Sequence, residues 1–373
     1  MTKLQQLLND AIADGVFPGA AYYVRNNGRE ERGYVGHQTY CPDSKAIDEH
    51  TIWDLASVSK VVSTTTLTIL AVQEGKLELD WPVAKVIPEF GVNEKQTITF
   101  RNLMVHNSGL IAFRAYYKTC RTRQEVLSQI YDEKLTYSTG SKTVYSDLSM
   151  ILMDEALTRV NGKSLHQQFK DRIAKPLDLD HIGYFYLNEP SMIGMVDRKN
   201  CAPTERTEDW RKIMRRLRHG DLGSAKIYGN DPEFIQGEVH DPTATAMGGV
   251  AGHAGLFSTL DSLVKFAADF CAPEPKVVSS GLRDEFTRRQ SESSSRALGW
   301  DTKSPSGSSA GTTLGPKTYG HTGFTGTSIW VDPESKNIAV LLTNRVHPTA
   351  DNQKLTQLRP VFHTLAMEKN DVS

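Results

Sequence analysis

Apolar residues recur along this chain with two different periods. Between residues 20 and 40 hydrophobic and polar side chains alternate around Asn27-Gly28, the pattern of two half-buried strands joined by a tight hairpin. Ser328 to Val331 and Ile338 to Thr343 flank Asp332-Pro333 and predict a second strand pair. Leu4, Leu7, Leu8, Ala11 and Ile12 instead repeat at helical spacing before Gly15 and Pro18, which predicts an amphipathic helix over Met1 to Asp14. A terminal helix is expected from about Asn352 to Met367 with a break at Pro360, which has no N–H for the preceding turn.

Helical spacing dominates the middle of the chain, over residues 61 to 74, 122 to 133, 147 to 160 and 164 to 174, with punctuation such as Asn161-Gly162. The simplest assembly is an α/β domain built from both chain ends, residues 1–60 and 238–373, and a mostly helical domain over 61–237. A cleft between them is the expected site. Residues 204 to 235 are the least globular segment: Arg211, Lys212, Arg215, Arg216 and Arg218 alternate with Ile213, Met214 and Leu217. That charge pattern fits a solvated helix or loop, and alternatively a basic lid for an anionic substrate. Ser279 to Arg296 and Ser304 to Gly311 read as polar loops.

Charge and composition narrow the function classes. Lys plus Arg number 43 against 44 Asp plus Glu, so no global field recruits nucleic acid or an anionic membrane. No apolar run approaches the roughly 18 residues of a membrane span, and Met1 to Asp14 lacks the basic start and apolar centre of a secretory signal. A cytoplasmic location is expected. Cys41, Cys120, Cys201 and Cys271 are dispersed, without a C-x-x-C pair or histidines at zinc-finger spacing, which points to reduced structural thiols and to no metal or other cofactor.

Candidate chemistry centres on Ser57-Val58-Ser59-Lys60, between the strand-like Thr51-Ile52-Trp53 and the helix-like Thr64 to Val72. A serine three residues before a lysine at a helix start shares a face with it and sits at the positive end of the macrodipole. S-x-x-K should occur about once by chance in a chain this long, and Ser262-Leu263-Val264-Lys265 matches too. Only the first is followed by Tyr145-Ser146-Asp147 and His321-Thr322-Gly323. A serine hydroxyl needs a base within hydrogen-bond reach. Lys60 can serve if burial and its neighbours lower its pKa, and Tyr145 if Lys60 stabilises its phenolate. The backbone N–H groups of Ser57 and Phe324 are candidates for stabilising an oxyanion.

These three ordered motifs resemble those of the class C β-lactamase superfamily, which includes DD-peptidases and family VIII esterases. The likeness extends over nearly the whole chain, including Leu103-Met104-Val105-His106-Asn107-Ser108-Gly109-Leu110 and the Gly-rich block Gly248 to Thr259. A narrower likeness to exo-acting N-acetylmuramyl-L-alanine amidases rests on Gln236 to Pro242, Gly320 to Thr327 and Leu342 to Pro348. The resemblance implies an α+β fold with an antiparallel sheet flanked by terminal helices. It also implies a serine hydrolase that forms an acyl-serine intermediate on an amide or ester, with a small-molecule, peptide or muropeptide partner. Structural roles are expected for His106 and His253.

Two motif positions depart from β-lactamases. Their third motif begins with lysine, a fixed cation for the substrate carboxylate, where this chain has His321. Their second motif ends in asparagine, where Asp147 when ionised can only accept. Asp147 can bind a substrate N–H or hold a protonated Lys60. Thr322 and Gly323 are placed at the substrate with His321, and Arg345 is a candidate replacement for the missing cation. A non-catalytic binding protein on the same fold is the competing reading. A metal-dependent hydrolase has no H-E-x-x-H helix to support it.

Overall fold

A computed structural model of the protein describes residues 1–185, 198–206 and 234–368. The basic run Trp210 to Arg218 lies outside the described residues. The residues on either side are tied together, Thr204 N–H to the Ile235 carbonyl at 2.8 Å and Ile235 N–H to the Glu205 carbonyl at 3.0 Å.

The alternating segments form an antiparallel sheet. Strands β1 (Gly19–Asn26) and β2 (Arg29–Gly36) make the hairpin, and β6 (Asp301–Thr302), β7 (Tyr319–Thr322), β8 (Ser328–Asp332) and β9 (Asn337–Thr343) complete the order β2-β1-β9-β8-β7-β6. The two chain ends meet where Ala20 of β1 pairs with Thr343 of β9. Because side chains alternate faces along a strand, each strand feeds two cores. Ala21 and Tyr23 of β1 and Ile338, Val340 and Leu342 of β9 enter the larger one, and Ala20, Tyr22, Val24, Ala339 and Leu341 the smaller. All seven residues of β9 are buried, as expected of a central strand covered on both faces.

Helices α1 (Lys3–Ala13) and α10 (Leu355–Ala366) cover one face, with Leu4, Leu8, Leu355 and Phe362 in the smaller core. Thr2 caps α1 reciprocally with Gln5. The expected break at Pro360 does not occur: α10 continues through it. Proline removes one backbone donor, and burial of Leu355 before it and of Phe362, His363 and Ala366 after it fixes both halves in one line.

The other face carries the helical residues. Helices α4 (Arg123–Asp132), α5 (Asp147–Asn161) and α6 (Leu165–Phe169) fall where helical spacing placed them, α5 ending at a left-handed Gly162. The helix after Ser57 begins with a π-turn, Lys60–Thr65, and continues as α2 (Thr66–Gln73). Every residue from Lys60 to Ala71 is buried, so this helix runs through the core. A second sheet, β3 (Trp53–Asp54), β5 (Leu256–Ser258) and β4 (Ile182–Tyr184) in the order β3-β5-β4, lies at its start. Two segments read as other things are regular structure: the Gly-rich block contributes β5, and α9 (Ser280–Thr287) occupies part of the expected polar loop. None of the described helices is long and apolar enough to cross a membrane.

The Gly-rich block packs against both the Lys60 helix and α5. The Gly252 carbonyl accepts from Thr64 Oγ1 at 2.7 Å, while a Cβ at Gly252 would lie 2.0 Å from the Met150 carbonyl oxygen. Gly252→Ala should therefore force α5 and the block apart and cost about 1–3 kcal/mol in urea unfolding. Wild-type stability in that variant would show that the contact has slack.

Candidate active site

A sharp turn delivers Ser57. The buried Asp54 carboxylate accepts from Ala56 N–H at 2.8 Å and from His240 N–H at 2.7 Å. Ala56 is held at φ +45°, a conformation that costs roughly 1–2 kcal/mol for a residue with a Cβ. The chain then enters its helix with Val58 N–H bonded to the Leu55 carbonyl at 3.0 Å, which leaves Ser57 at the positive helix end.

Lys60 lies one turn on and is fully buried. Its ammonium has three donors, and each finds an acceptor: Ser57 Oγ at 2.8 Å, the His253 carbonyl at 2.9 Å and Asp147 Oδ1 at 2.8 Å. Burial acts to lower the Lys60 pKa, but the Asp147 carboxylate and then Tyr145 outweigh it, so its pKa is raised above the ordinary lysine value. The expectation that Lys60 is made basic by a lowered pKa is thus corrected. Asp147 stands at the first position of α5 and holds the ammonium.

Tyr145 completes the cluster. Lys60 Nζ lies 5.0 Å from its ring centroid, and the His106 and His321 rings lie 4.8 Å and 5.8 Å away. The Tyr145 hydroxyl is buried and close enough to Lys60 to help hold its proton, yet makes no hydrogen bond of ordinary geometry. His321 Nδ1 donates to the Thr322 carbonyl at 2.8 Å, so Nε2 carries the lone pair. His106 is the opposite tautomer, because Ser146 N–H donates to its Nδ1 at 3.1 Å. Burial, then the Arg296 guanidinium, holds both imidazoles well below the usual histidine pKa. His321 is therefore neutral and supplies no fixed cation.

The third motif is pinned beside the Ser57 turn. Thr325 Oγ1 donates to the Asp54 carbonyl at 2.7 Å and Thr327 Oγ1 to the Leu55 carbonyl at 2.9 Å. Glycine is required here by close approach: a Cβ on Gly323 would lie 2.1 Å from Thr327 Oγ1 and 2.5 Å from the Leu55 carbonyl. This contact holds the segment that carries Phe324 against the turn that leads into Ser57. Arg345 does not stand free for a substrate. Its guanidinium donates to the carbonyls of Phe324, Ala350 and Asn352 at 2.8, 3.1 and 2.5 Å, and lies 4.4 Å from the Phe324 ring centroid. Its place is to fix Phe324.

The second S-x-x-K match is dispersed. Ser262 accepts from His181 N–H at 3.3 Å, and Lys265 donates to the Asp178 carbonyl at 3.0 Å. His253 pairs through Nε2 with Asp241 at 3.0 Å while its carbonyl anchors Lys60, a structural place. Arg296, which sequence reasoning left in a polar loop, lies against the site, its guanidinium carbon 4.7 Å from the Tyr145 ring centroid.

The family pattern described as Beta-lactamase matches residues 4–361. The chain belongs to the β-lactamase family. Among β-lactamase-family relatives, an Escherichia coli K12 protein named as a D-alanyl-D-alanine carboxypeptidase is 30% identical over 82% of this chain and 71% of its own length. A Bacillus subtilis protein named N-acetylmuramyl-L-alanine amidase is 29% identical over 95% of this chain and 83% of its own. Solved folds agree: EstCE1, a hydrolase with promiscuous acyltransferase activity, superposes with a TM-score of 0.72 at 19% identity, covering 96% of this chain and 97% of its own. The octameric penicillin-binding protein homologue from Pyrococcus abyssi gives 0.71 at 18% identity, over 97% of this chain and 77% of its own. The protein is a β-lactamase-family serine hydrolase with the α+β fold of that family.

The buried imidazoles set a pH dependence. His106 and His321 are held well below 6.5, and burial followed by Arg359 drives His363 down to about 3. A depressed histidine stabilises the fold fully above its unfolded pKa, and the unfolded chain gains protons first as pH falls. Each contributes a loss of about 1.4 kcal/mol per pH unit between its unfolded and folded pKa values. Tm should hold above about pH 6.5 and fall steadily towards pH 5, ahead of carboxylate titration. A Tm unchanged between pH 7 and pH 5 would contradict this.

Proposed function

We propose that the protein cleaves an amide or ester of a peptide or cell-wall fragment through an acyl intermediate on Ser57. The observation that carries this reading is the buried Lys60 ammonium 2.8 Å from both Ser57 Oγ and the Asp147 carboxylate. Because Lys60 donates to Ser57 Oγ, the serine's own proton is free to point elsewhere, and the unpartnered Tyr145 oxygen is the available acceptor.

Ser57 Oγ attacks the carbonyl carbon as its proton passes to Tyr145 acting as a phenolate held by Lys60, and the phenol so formed gives that same proton to the departing amine or alkoxide. Lys60 stays an ammonium throughout and lowers the energy of anionic Ser57 and Tyr145 oxygens. The N–H groups of Ser57 and Phe324 receive the oxyanion. Water then enters by the reverse relay and frees Ser57. Thr322 and Gly323 line the edge along which the acyl chain lies. A neutral His321 and an Asp147 committed to Lys60 argue for a substrate other than a β-lactam.

The relatives named for a carboxypeptidase and an amidase support peptide or muropeptide substrates. Family VIII-type ester hydrolysis is the second reading, favoured by the EstCE1-like fold alone. Cys41, Cys120, Cys201 and Cys271 are all thiols, Cys41 exposed, which fits work in a reducing cytoplasm.

Intact-protein mass spectrometry after fluorophosphonate treatment tests the nucleophile. A single adduct is expected on wild type and on Ser262→Ala, and none on Ser57→Ala, whose ester turnover should fall by about 10³-fold or more. Labelling that survives Ser57→Ala and disappears in Ser262→Ala would overturn the assignment.

A further inference from the structure

The N–H groups of Ser57 and Phe324 meet no protein acceptor among the described residues, as expected of two donors kept for an oxyanion. That of Ser57 is set by the turn at Ala56 and the start of its helix. That of Phe324 belongs to the Gly323–Phe324 peptide. Glycine at 323 is demanded by the close approach to Leu55, yet a residue without a Cβ also lets the peptide that follows it turn over at little cost. A peptide turned over presents a carbonyl oxygen where the site needs a donor.

Arg359 holds the other end of that peptide. Its Nη2 donates to the carbonyls of Gly323 and Thr327, each at 3.2 Å, and Gly326 N–H donates to the same Gly323 carbonyl at 3.2 Å. A trans peptide is planar, with its C=O and N–H pointing in opposite directions. Two donors on the Gly323 oxygen therefore aim the Phe324 N–H away from Arg359. On the other side of the Phe324 Cα, the next carbonyl accepts from Arg345 Nε at 2.8 Å. Each peptide flanking Phe324 is thus gripped by its own guanidinium.

Arg359 reaches this turn from the terminal helix α10. One helical turn on, His363 Nε2 lies 3.0 Å from Ser328 Oγ, so two residues of one helix face fasten α10 to the end of the third motif. Passage of α10 through Pro360 without a break keeps the pair in line. Among the described residues no carboxylate balances Arg359: burial, then the nearby Arg345, lowers its pKa to about 10. Its Nε is buried without a hydrogen-bond partner. Burying a cation without a counter-ion is costly, and packing α10 against the sheet would need only an apolar side chain at this position.

We infer that Arg359 is a positioning residue: by holding the Gly323 carbonyl it keeps the Gly323–Phe324 peptide in the orientation that offers the Phe324 N–H to the oxyanion. That role rests on the oxyanion assignment proposed for Phe324. The positive charge adds to the geometry. A guanidinium bonded to the carbonyl oxygen draws electron density from the amide nitrogen, which makes the N–H at the other end of the peptide a stronger donor. Arg359 Nη2 is occupied by backbone carbonyls, so the residue serves the site from behind and does not meet the substrate.

Exchanging the substrate oxygen that the donors receive tests this. p-Nitrophenyl acetate and p-nitrophenyl thionoacetate share a leaving group, but negative charge develops on oxygen in the first and on sulfur, a larger and weaker acceptor, in the second. The ratio of their kcat/KM values, each divided by its uncatalysed rate, reads the oxyanion donors. Wild type should favour the oxygen ester by about 100-fold or more, the size of one donor's contribution. In Arg359→Met, which keeps the apolar length of the side chain, the oxygen ester should slow by about 10- to 100-fold and the thiono ester little, so the ratio drops by the same factor. Arg359→Lys should recover part of it. Should Arg359→Met fail to fold, Arg359→Gln removes the charge while filling the space, and its ratio should fall in the same direction. A folded neutral variant that slows both esters equally, or neither, and keeps the wild-type ratio overturns the role of Arg359 alone. A wild-type ratio near one rejects the oxyanion assignment and this inference with it, whereas the nucleophile is judged separately by the fluorophosphonate adduct on Ser57.

Discussion

Lys60 is an ion buried in the protein core, and the site is built around satisfying it. A buried ammonium is tolerated only when its charge is paired and its protons are used. Here all three requirements of geometry converge: Asp147 from the start of α5, the His253 carbonyl from the Gly-rich block and Ser57 from the same helix. Each acceptor belongs to a different structural unit, so the ion pair ties the nucleophile's helix, α5 and the small sheet into one arrangement. The close approach at Gly252 and the π-turn at Lys60–Thr65 are the steric counterparts of that convergence.

Holding Lys60 protonated reassigns the chemistry around it. A saturated ammonium cannot take the serine proton, and the two imidazoles nearest Tyr145 are neutral tautomers fixed by backbone groups. The site is thus a cluster of the paired Lys60 ammonium, the Arg296 guanidinium and two neutral imidazoles around the Tyr145 phenol. Arg345 contributes to this indirectly by fixing Phe324 through its carbonyl and ring.

Local pattern was enough for the hairpin at Asn27-Gly28, the β8–β9 pair, helices α4 to α6 and the three motifs, because each depends on spacing within one element. What escaped it depends on tertiary context. Pro360 is carried through a helix by side chains on both flanks packed against the sheet. Leu256–Ser258 is a strand because Trp53–Asp54 and Ile182–Tyr184 pair with it from distant parts of the chain. Ala56 adopts a positive φ because Asp54 holds its N–H, and Ala-Ser in sequence gives no hint of it. The direction of the Lys60 pKa follows from Asp147, 87 positions away by number, and Arg296 gave no signal beyond being a basic residue in a polar stretch.

The protonation state of Lys60 is the point on which this account turns. Direct titration of the Lys60 side chain by NMR, with ¹³C-labelled lysine and Lys60→Met to assign the resonance, reads it without recourse to activity. A Lys60 Cε signal that stays in its ammonium position from pH 6 to above the ordinary lysine pKa of about 10.4, and titrates lower in Asp147→Asn, is the predicted result. A Lys60 that loses its proton near neutral pH in the wild type would contradict the account and return the lysine to the role of general base.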